Sequence, residues 1–353
     1  MVLAAQRGWG EITKSIFLTN LGPSLQGLSG RCQGMWQHCV NELGYRGASE
    51  ESSNVTGEIR VRQGLAGMTE VVLESADLQV VVLPWRGGEI NRFYSRALDL
   101  DVLYRDRGEM ARFEEDRRLG RERPAAEYAF GGLLTMYPNA GEPSQRGEHH
   151  YAFHGDARSA PWDYEIVQGA TPELRLRGTS AGAPFAIDRT MRFAAGSGAL
   201  EVTDVLTRTD DGDDALPCGY GIHPYFGPST LASGTRLFVD DRLVGTLGDD
   251  EVMPHRLDCV EVSSSPSSIA VDSPGGGSRL SLEFDSPILD HVWVWLTDRW
   301  ETGRGIGALI PTSVHGVHGV EGAERDGLVH RLHSGESVTA AWSMQIAPLQ
   351  SPH

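Results

Sequence analysis

From Gly57 onward, apolar residues fall in short runs or alternate with polar ones, and Gly, Pro, Asp or Ser interrupts them every few positions. Thr69–Leu73, Leu78–Leu83, Leu174–Arg177, Ala199–Thr207, Thr235–Val239, Ser268–Val271, Arg279–Phe284, His291–Leu296 and Thr339–Ile346 all have this form, the signature of strands. Within them, Val292-Trp-Val-Trp-Leu296 is apolar throughout, which predicts a strand buried on both faces. One segment competes as a helix: Arg107–Arg123 is charged, has a thin apolar face and stops at Pro124. Residues 1–55 differ. Met35, Trp36, Cys39, Val40 and Leu43 have helical spacing, and Gly47–Asn54 is a polar linker. Many strands joined by short turns, without alternating helices, predict an all-β domain, a large sandwich or barrel-like structure over 56–353, after a partly helical extension at 1–55. No repeat of 20–50 residues is visible, which argues against a propeller.

Length and charge fit this picture and exclude several functions. A chain of 353 residues can bury a substantial core without a disulfide or metal scaffold. With 31 Lys+Arg against 48 Asp+Glu, the net charge is −17, the wrong sign for a nucleic acid or an anionic membrane surface. Lys14 is the one lysine, so Schiff-base chemistry has a single candidate, near a terminus, and is set aside. The apolar run Ser15–Thr19 is too short for a signal peptide or a membrane span, so a cytoplasmic protein is expected. Cys32, Cys39, Cys218 and Cys259 form no CxxC pair and read as reduced thiols. Gly275-Gly-Gly277 is a turn tip, and neither a GxGxxG nor a GxxxxGK[ST] loop occurs, so no nucleotide cofactor is expected.

Four segments carry more polar and aromatic groups than a core needs: Phe130–Gly141, Glu148–Trp162, Gly219–Gly227 and Pro311–Glu321. His154-Gly and His223-Pro each stand at a turn signal beside a strand, where loop-borne proton-exchanging groups are often found. Phe153, Trp162, Tyr225 and Phe226 offer flat apolar surfaces suited to the C–H face of a sugar, and Asn139, Asp156 and Arg158 can bond hydroxyls. A metal reading is weaker. His149, His150 and His154 with Glu148 do not match HExxH, and His315, His318, His330 and His333, although they form two His-x-x-His pairs, read as surface or structural residues. No Gly-x-Ser-x-Gly elbow supports a serine hydrolase.

The order of these segments resembles the aldose 1-epimerase (galactose mutarotase-like) superfamily, from about Gly57 to Pro348. Tyr137-Pro138-Asn139 resembles its Pro-Asn-Arg segment, and Phe153-His154-Gly155 with Pro161-Trp162 its His-Gly…Pro-Trp segment. His223-Pro224-Tyr225-Phe226 is similar to its Asn-His-Pro/Tyr-Phe segment. Leu309-Ile310-Pro311-Thr312, with Gly327-Leu328 and Gly335-Glu336-Ser337, is similar to its Glu-Pro-x-Thr…Leu-x-Pro-Gly-Glu stretch. Each motif is short, and the four occur in the right order. The resemblance implies a supersandwich fold and a sugar-binding cleft that works without a cofactor. It gives His223 the role of acid on the ring oxygen and His154 that of a supporting donor, while a Glu takes the proton of the anomeric hydroxyl.

Two positions depart from the pattern. Ala140 stands where the substrate-binding Arg is expected, and Ile310 where the catalytic Glu is expected. Glu321, Glu324 and Asp290 are the candidate replacement bases, and Arg158 the candidate replacement for the Arg. The sequence therefore leads to an aldose 1-epimerase-like isomerase acting on a sugar or sugar-like hemiacetal. Its catalytic set is His223, His154 and Glu321; Asn139, Asp156, Arg158, Trp162, Tyr225 and Asp290 bind the substrate; no metal is expected. Two alternatives stay open: the same cleft redirected to isomerisation, cyclisation or elimination of an unusual metabolite, and a carbohydrate-binding protein without turnover. The oligomeric state is not legible.

Overall fold

The computed structural model describes residues 57–195, 198–248, 256–262, 265–297 and 305–349; the helical spacing at 33–43 lies outside them. Two large antiparallel sheets face each other. The first runs in the order Glu58–Gln63, Thr69–Glu74, Leu78–Leu83, Glu89–Ser95, Leu133–Met136, Gly221–Pro224, Ile306–Thr312, His291–Thr297, Arg256–Glu261. The second runs Arg242–Thr246, Arg236–Val239, Ser267–Ser273, Ser278–Asp285, Ser337–Pro348, Leu200–Arg208, Phe185–Phe193, Glu173–Thr179, Asp163–Val167. The long strand Ser337–Pro348 therefore stands in the middle of its sheet, pairing with Leu200–Arg208 on one side and Ser278–Asp285 on the other.

Alternation explains both the core and the site. Side chains of a strand point to opposite faces in turn. Leu133, Ile222, Val292, Val294 and Leu309 of the first sheet point to the interior and join residues such as Ile187, Leu206, Leu282 and Met344 of the second in one continuous core. Their neighbours point outward: Leu134, Met136, Trp293, Ala308 and Ile310 form a separate buried cluster on the far side. The expectation for Val292–Leu296 holds except at Trp295, which is half-buried and faces the cleft.

Further along the outer face, Val72, Val81 and Leu83 are covered by Phe113, Tyr128 and Phe130. Phe113 belongs to the helix Arg107–Arg118, which starts at the N-cap Asp106, whose Oδ1 accepts the Glu109 N–H at 3.0 Å. The helix ends at Arg118, before the Arg123 that the pattern allowed, and a short 3₁₀ turn, Ala125–Glu127, follows Pro124. The ring of Phe113 stacks on Trp85 at 5.1 Å and meets Tyr128 and Phe130 edge-on at 5.1 and 5.5 Å. One end of the outer face is thus sealed by aromatics, and the uncovered part beside it is the cleft.

Candidate functional site

The cleft has a volume of about 470 Å³, and His223, Tyr225, His154, Arg158, Trp293 and Trp295 are among its walls. His223 reaches it because Ile222 takes the inward side of Gly221–Pro224, which leaves the imidazole on the outer face, held between Leu133–Met136 and Ile306–Thr312. The ring is 4% exposed. It stacks on Tyr225 at 4.2 Å with an interplanar angle of 15°, and Trp295 stands edge-on to it at 6.0 Å. Nδ1 of His223 is buried and has no hydrogen-bond partner. Burial lowers the pKa of this ring to about 3, so at neutral pH it is uncharged.

His154 faces His223 across the cleft floor, with ring centroids 5.6 Å apart in an edge-to-face arrangement. It sits in a turn at φ 56°, held by Gly155, where a Cβ would lie 2.0 Å from the Tyr137 carbonyl oxygen. The Gly141 N–H donates to His154 Nδ1 at 3.0 Å, which places the ring proton of the neutral imidazole on Nε2. Burial, with His223 and the Arg158 guanidinium close by, keeps this pKa well below the usual histidine range. Two neutral imidazoles thus share one apolar pocket, each able to donate from one nitrogen and accept at the other.

Of the residues singled out from the sequence, His223, His154, Arg158 and Tyr225 line the cleft; Asn139, Asp156, Trp162, Asp290 and Glu321 do not. Asn139 is fully buried. Its Nδ2 donates to the Glu142 and Ala152 carbonyls at 2.8 and 2.9 Å, and its Oδ1 accepts the Val320 N–H, so both donors are taken and the amide is out of a ligand's reach. Asp156 Oδ2 accepts the N–H groups of Ala181 and Gly182 and caps that turn. Trp162 lies in the core, with Nε1 donating to the Ala157 carbonyl at 2.9 Å. Asp290 is bonded to His291 and His330, and Glu321 stands exposed in the first turn of the short helix Gly319–Arg325.

Ile310 and Ala140 are both in the outer apolar cluster, and Ile310 lines the cleft. The one carboxylate on the cleft wall among the described residues is Glu142, which the sequence reading passed over. Its Oε2 lies 2.9 Å from His318 Nδ1, and its N–H donates to the Val317 carbonyl, which fixes this loop against residues 313–318. Arg86 was missed as well. It holds Glu89 at 2.7 Å and places its guanidinium 4.3 Å over the Phe130 ring. Arg158 donates from Nε to the Phe153 carbonyl at 3.3 Å and has no ion pair among those found in the described residues, so it brings positive charge to the cleft wall.

The arrangement of two facing antiparallel sheets has known counterparts. A protein named "putative aldose 1-epimerase" from Klebsiella pneumoniae subsp. pneumoniae MGH 78578 superposes with a TM-score of 0.62 at 17% identity, covering 82% of this chain and 83% of that one. A galactose mutarotase-like protein from Clostridium acetobutylicum superposes with a TM-score of 0.61 at 10% identity, covering 83% of this chain and 99% of that one. The fold is the galactose mutarotase-like β-sandwich. A "putative aldose 1-epimerase" from Escherichia coli K12 has this mutarotase-like fold too, with a TM-score of 0.52 at 15% identity, covering 83% of this chain and all of that one (100%). No protein-family model and no curated protein matches the sequence. Among the described residues, no helix is long and apolar enough to cross a membrane.

Proposed function

We propose that this chain is an aldose 1-epimerase-like enzyme that exchanges protons at the hemiacetal of a sugar or sugar-like molecule. The observation that carries the reading is the neutral His154–His223 pair, 5.6 Å apart on the floor of an aromatic cleft, with His223 Nδ1 unpartnered. Opening a cyclic hemiacetal requires a proton delivered to the ring oxygen and another removed from the anomeric hydroxyl. His223 serves the ring oxygen, and His154, with its Nε2–H, donates to the same region. Trp293, Trp295 and Tyr225 carry the apolar face of the sugar, and Arg158 bonds its hydroxyls. Glu142 takes the place of Glu321 as acceptor of the anomeric proton, since Glu142 is on the wall and Glu321 is not.

The uncharged resting state of His223 has a chemical consequence. A ring with a pKa near 3 is not a stored imidazolium; it gives its N–H to the ring oxygen only as its other nitrogen takes up a proton from water, so that neutral imidazole and not imidazolate is left, while the base withdraws the anomeric proton. Proton exchange NMR on the anomeric signals of an aldose panel tests the reading. The wild type is expected to accelerate exchange, His223→Ala to abolish the acceleration, and Glu142→Gln to reduce it by about 10²–10⁴-fold, the usual contribution of a positioned acid or base. Exchange at the uncatalysed rate with every sugar in the panel would retire mutarotation. Ile310 in the wall then favours a second reading, a cleft whose acid–base set serves another reaction. Product analysis and ligand-induced gains in Tm separate that enzyme from a binding protein.

A further inference from the structure

Beyond the cleft, on the same outer face of the first sheet, three potential metal ligands converge. Cys259, His291 and His315 each offer a ligand atom, and these atoms all lie within 4.8 Å of one another. Cys259 comes from the edge strand Arg256–Glu261, opposite Trp293; His291 begins the neighbouring strand; His315 comes from the loop after Ile306–Thr312. We propose that these residues bind a zinc ion that ties residues 313–318 to the sheet edge.

The donor set and its support argue for this. One thiolate with two imidazoles suits zinc, a borderline-soft cation that takes sulfur at roughly 2.3 Å and nitrogen at roughly 2.0–2.1 Å. A tetrahedral ion at those bond lengths needs ligand atoms about 3.3–3.7 Å apart, within reach of small side-chain rotations from the observed cluster. Both histidines are backed by carboxylates. Asp290 Oδ1 is bonded to His291 Nδ1 at 2.6 Å, which leaves Nε2 of that ring for coordination, and the Asp326 carboxylate stands near His315 Nδ1, at 3.8 Å and outside hydrogen-bond distance. A carboxylate on the far nitrogen of a ligating histidine orients the ring and raises its basicity. Asp290 is itself fixed by His330 Nε2 at 3.0 Å. The backbone of Gly316 hydrogen-bonds Cys259, so the loop already touches the sulfur. His291 is buried, Cys259 half-buried and the His315 side chain 44% exposed, which gives an ion a path in and leaves room for a water as fourth ligand.

The geometry also says what the ion does. The same loop is held at its base by the Trp293 Nε1–H, which donates to the Val314 carbonyl at 2.9 Å. It carries Val317 onto the cleft wall, where the Val317 carbonyl accepts the Glu142 N–H. Zinc at Cys259, His291 and His315 adds a further tether to this rim.

The test uses full-length protein stripped with chelator and titrated with Co²⁺ and then Zn²⁺. One equivalent of Co²⁺ is expected to produce a thiolate-to-cobalt charge-transfer absorption that Zn²⁺ displaces, and Zn²⁺ to raise Tm. Cys259→Ser removes the absorption, His315→Ala, at a partly exposed position, abolishes stoichiometric binding, and Asp290→Asn weakens it by about 10–100-fold. Absence of the absorption in the wild type overturns the proposal. So does an absorption that survives Cys259→Ser and disappears with Cys32→Ser or Cys39→Ser, which would put the metal elsewhere.

Discussion

His223 is a polar residue buried against aromatic rings, and its stability contribution therefore depends on pH. In the unfolded chain the ring takes up a proton near 6.5; in the folded chain burial delays this to about 3. The folded state thus binds fewer protons between these values, and stability is lost as pH falls from 6.5 towards 3, by up to about 1.4 kcal/mol per pH unit for this group. Above 6.5 both states are neutral and the effect vanishes. His223→Phe, which keeps a flat ring on Tyr225, is expected to flatten the acid limb of a urea-unfolding series between pH 6 and 4 by about one proton. An unchanged limb would show that the imidazole protonates in place. The pairs Tyr137-Pro138-Asn139 and Phe153-His154-Gly155 show what single residues reveal in sequence. The turn around His154 was legible because Gly155 marks a place where a side chain does not fit. The role of Asn139 was not, because an amide that reaches a ligand and one that ties three backbone groups together have the same sequence context.

At the scale of elements, strands were legible where apolar residues ran together, as at Leu78–Leu83, or alternated cleanly, as in the centre of Ser278–Asp285. Phe185–Phe193 escaped because its inward row, Phe185, Ile187, Arg189, Met191 and Phe193, contains a charge. Gly221–Pro224 and Leu133–Met136 escaped because they are short and covered on both faces. The aromatic wall had a readable signal that went unused: Trp293 and Trp295 are two apart, so they share one face, while Val292, Val294 and Leu296 share the other. Glu142 and Arg86 carry no such sign, since tertiary placement alone brings them to the cleft. The helix Arg107–Arg118 supports that wall through Phe113, which contacts Tyr128 and Phe130, both on the cleft. Phe113→Ala is expected to cost about 3 kcal/mol by cavity formation and, by loosening those rings, to weaken ligand binding more than it changes turnover. Urea midpoints with a KM-against-kcat comparison check both parts.

At the scale of the whole molecule, a buried ion pair joins the sheets. Arg189 and Asp204 face each other on adjacent strands of the second sheet, bonded at 2.7 Å with both side chains fully buried. Arg189 also donates to Thr135 Oγ1, and the Tyr220 hydroxyl to Asp204; Thr135 lies on a strand of the first sheet and Tyr220 just before one. Asp204→Ala leaves a guanidinium without its counter-ion in the interior and is expected to cost about 3–5 kcal/mol, a large part of the stability of an ordinary domain. A double substitution to Arg189→Met and Asp204→Leu is expected to recover most of that loss, as measured by thermal or urea unfolding.

The central place of Ser337–Pro348 bears on how the chain comes to exist at all. A polypeptide leaves the ribosome N-terminus first, so Leu200–Arg208 and Ser278–Asp285 are both synthesised before the strand that stands between them. Until then each offers a row of unpaired backbone donors and acceptors, an invitation to pair with another nascent chain. Completion of this sandwich therefore waits until residues 337–348 have been made, and a product that stops short of residue 337 carries two open edges that favour aggregation, which makes it a substrate for chaperones and proteases rather than a smaller version of the protein.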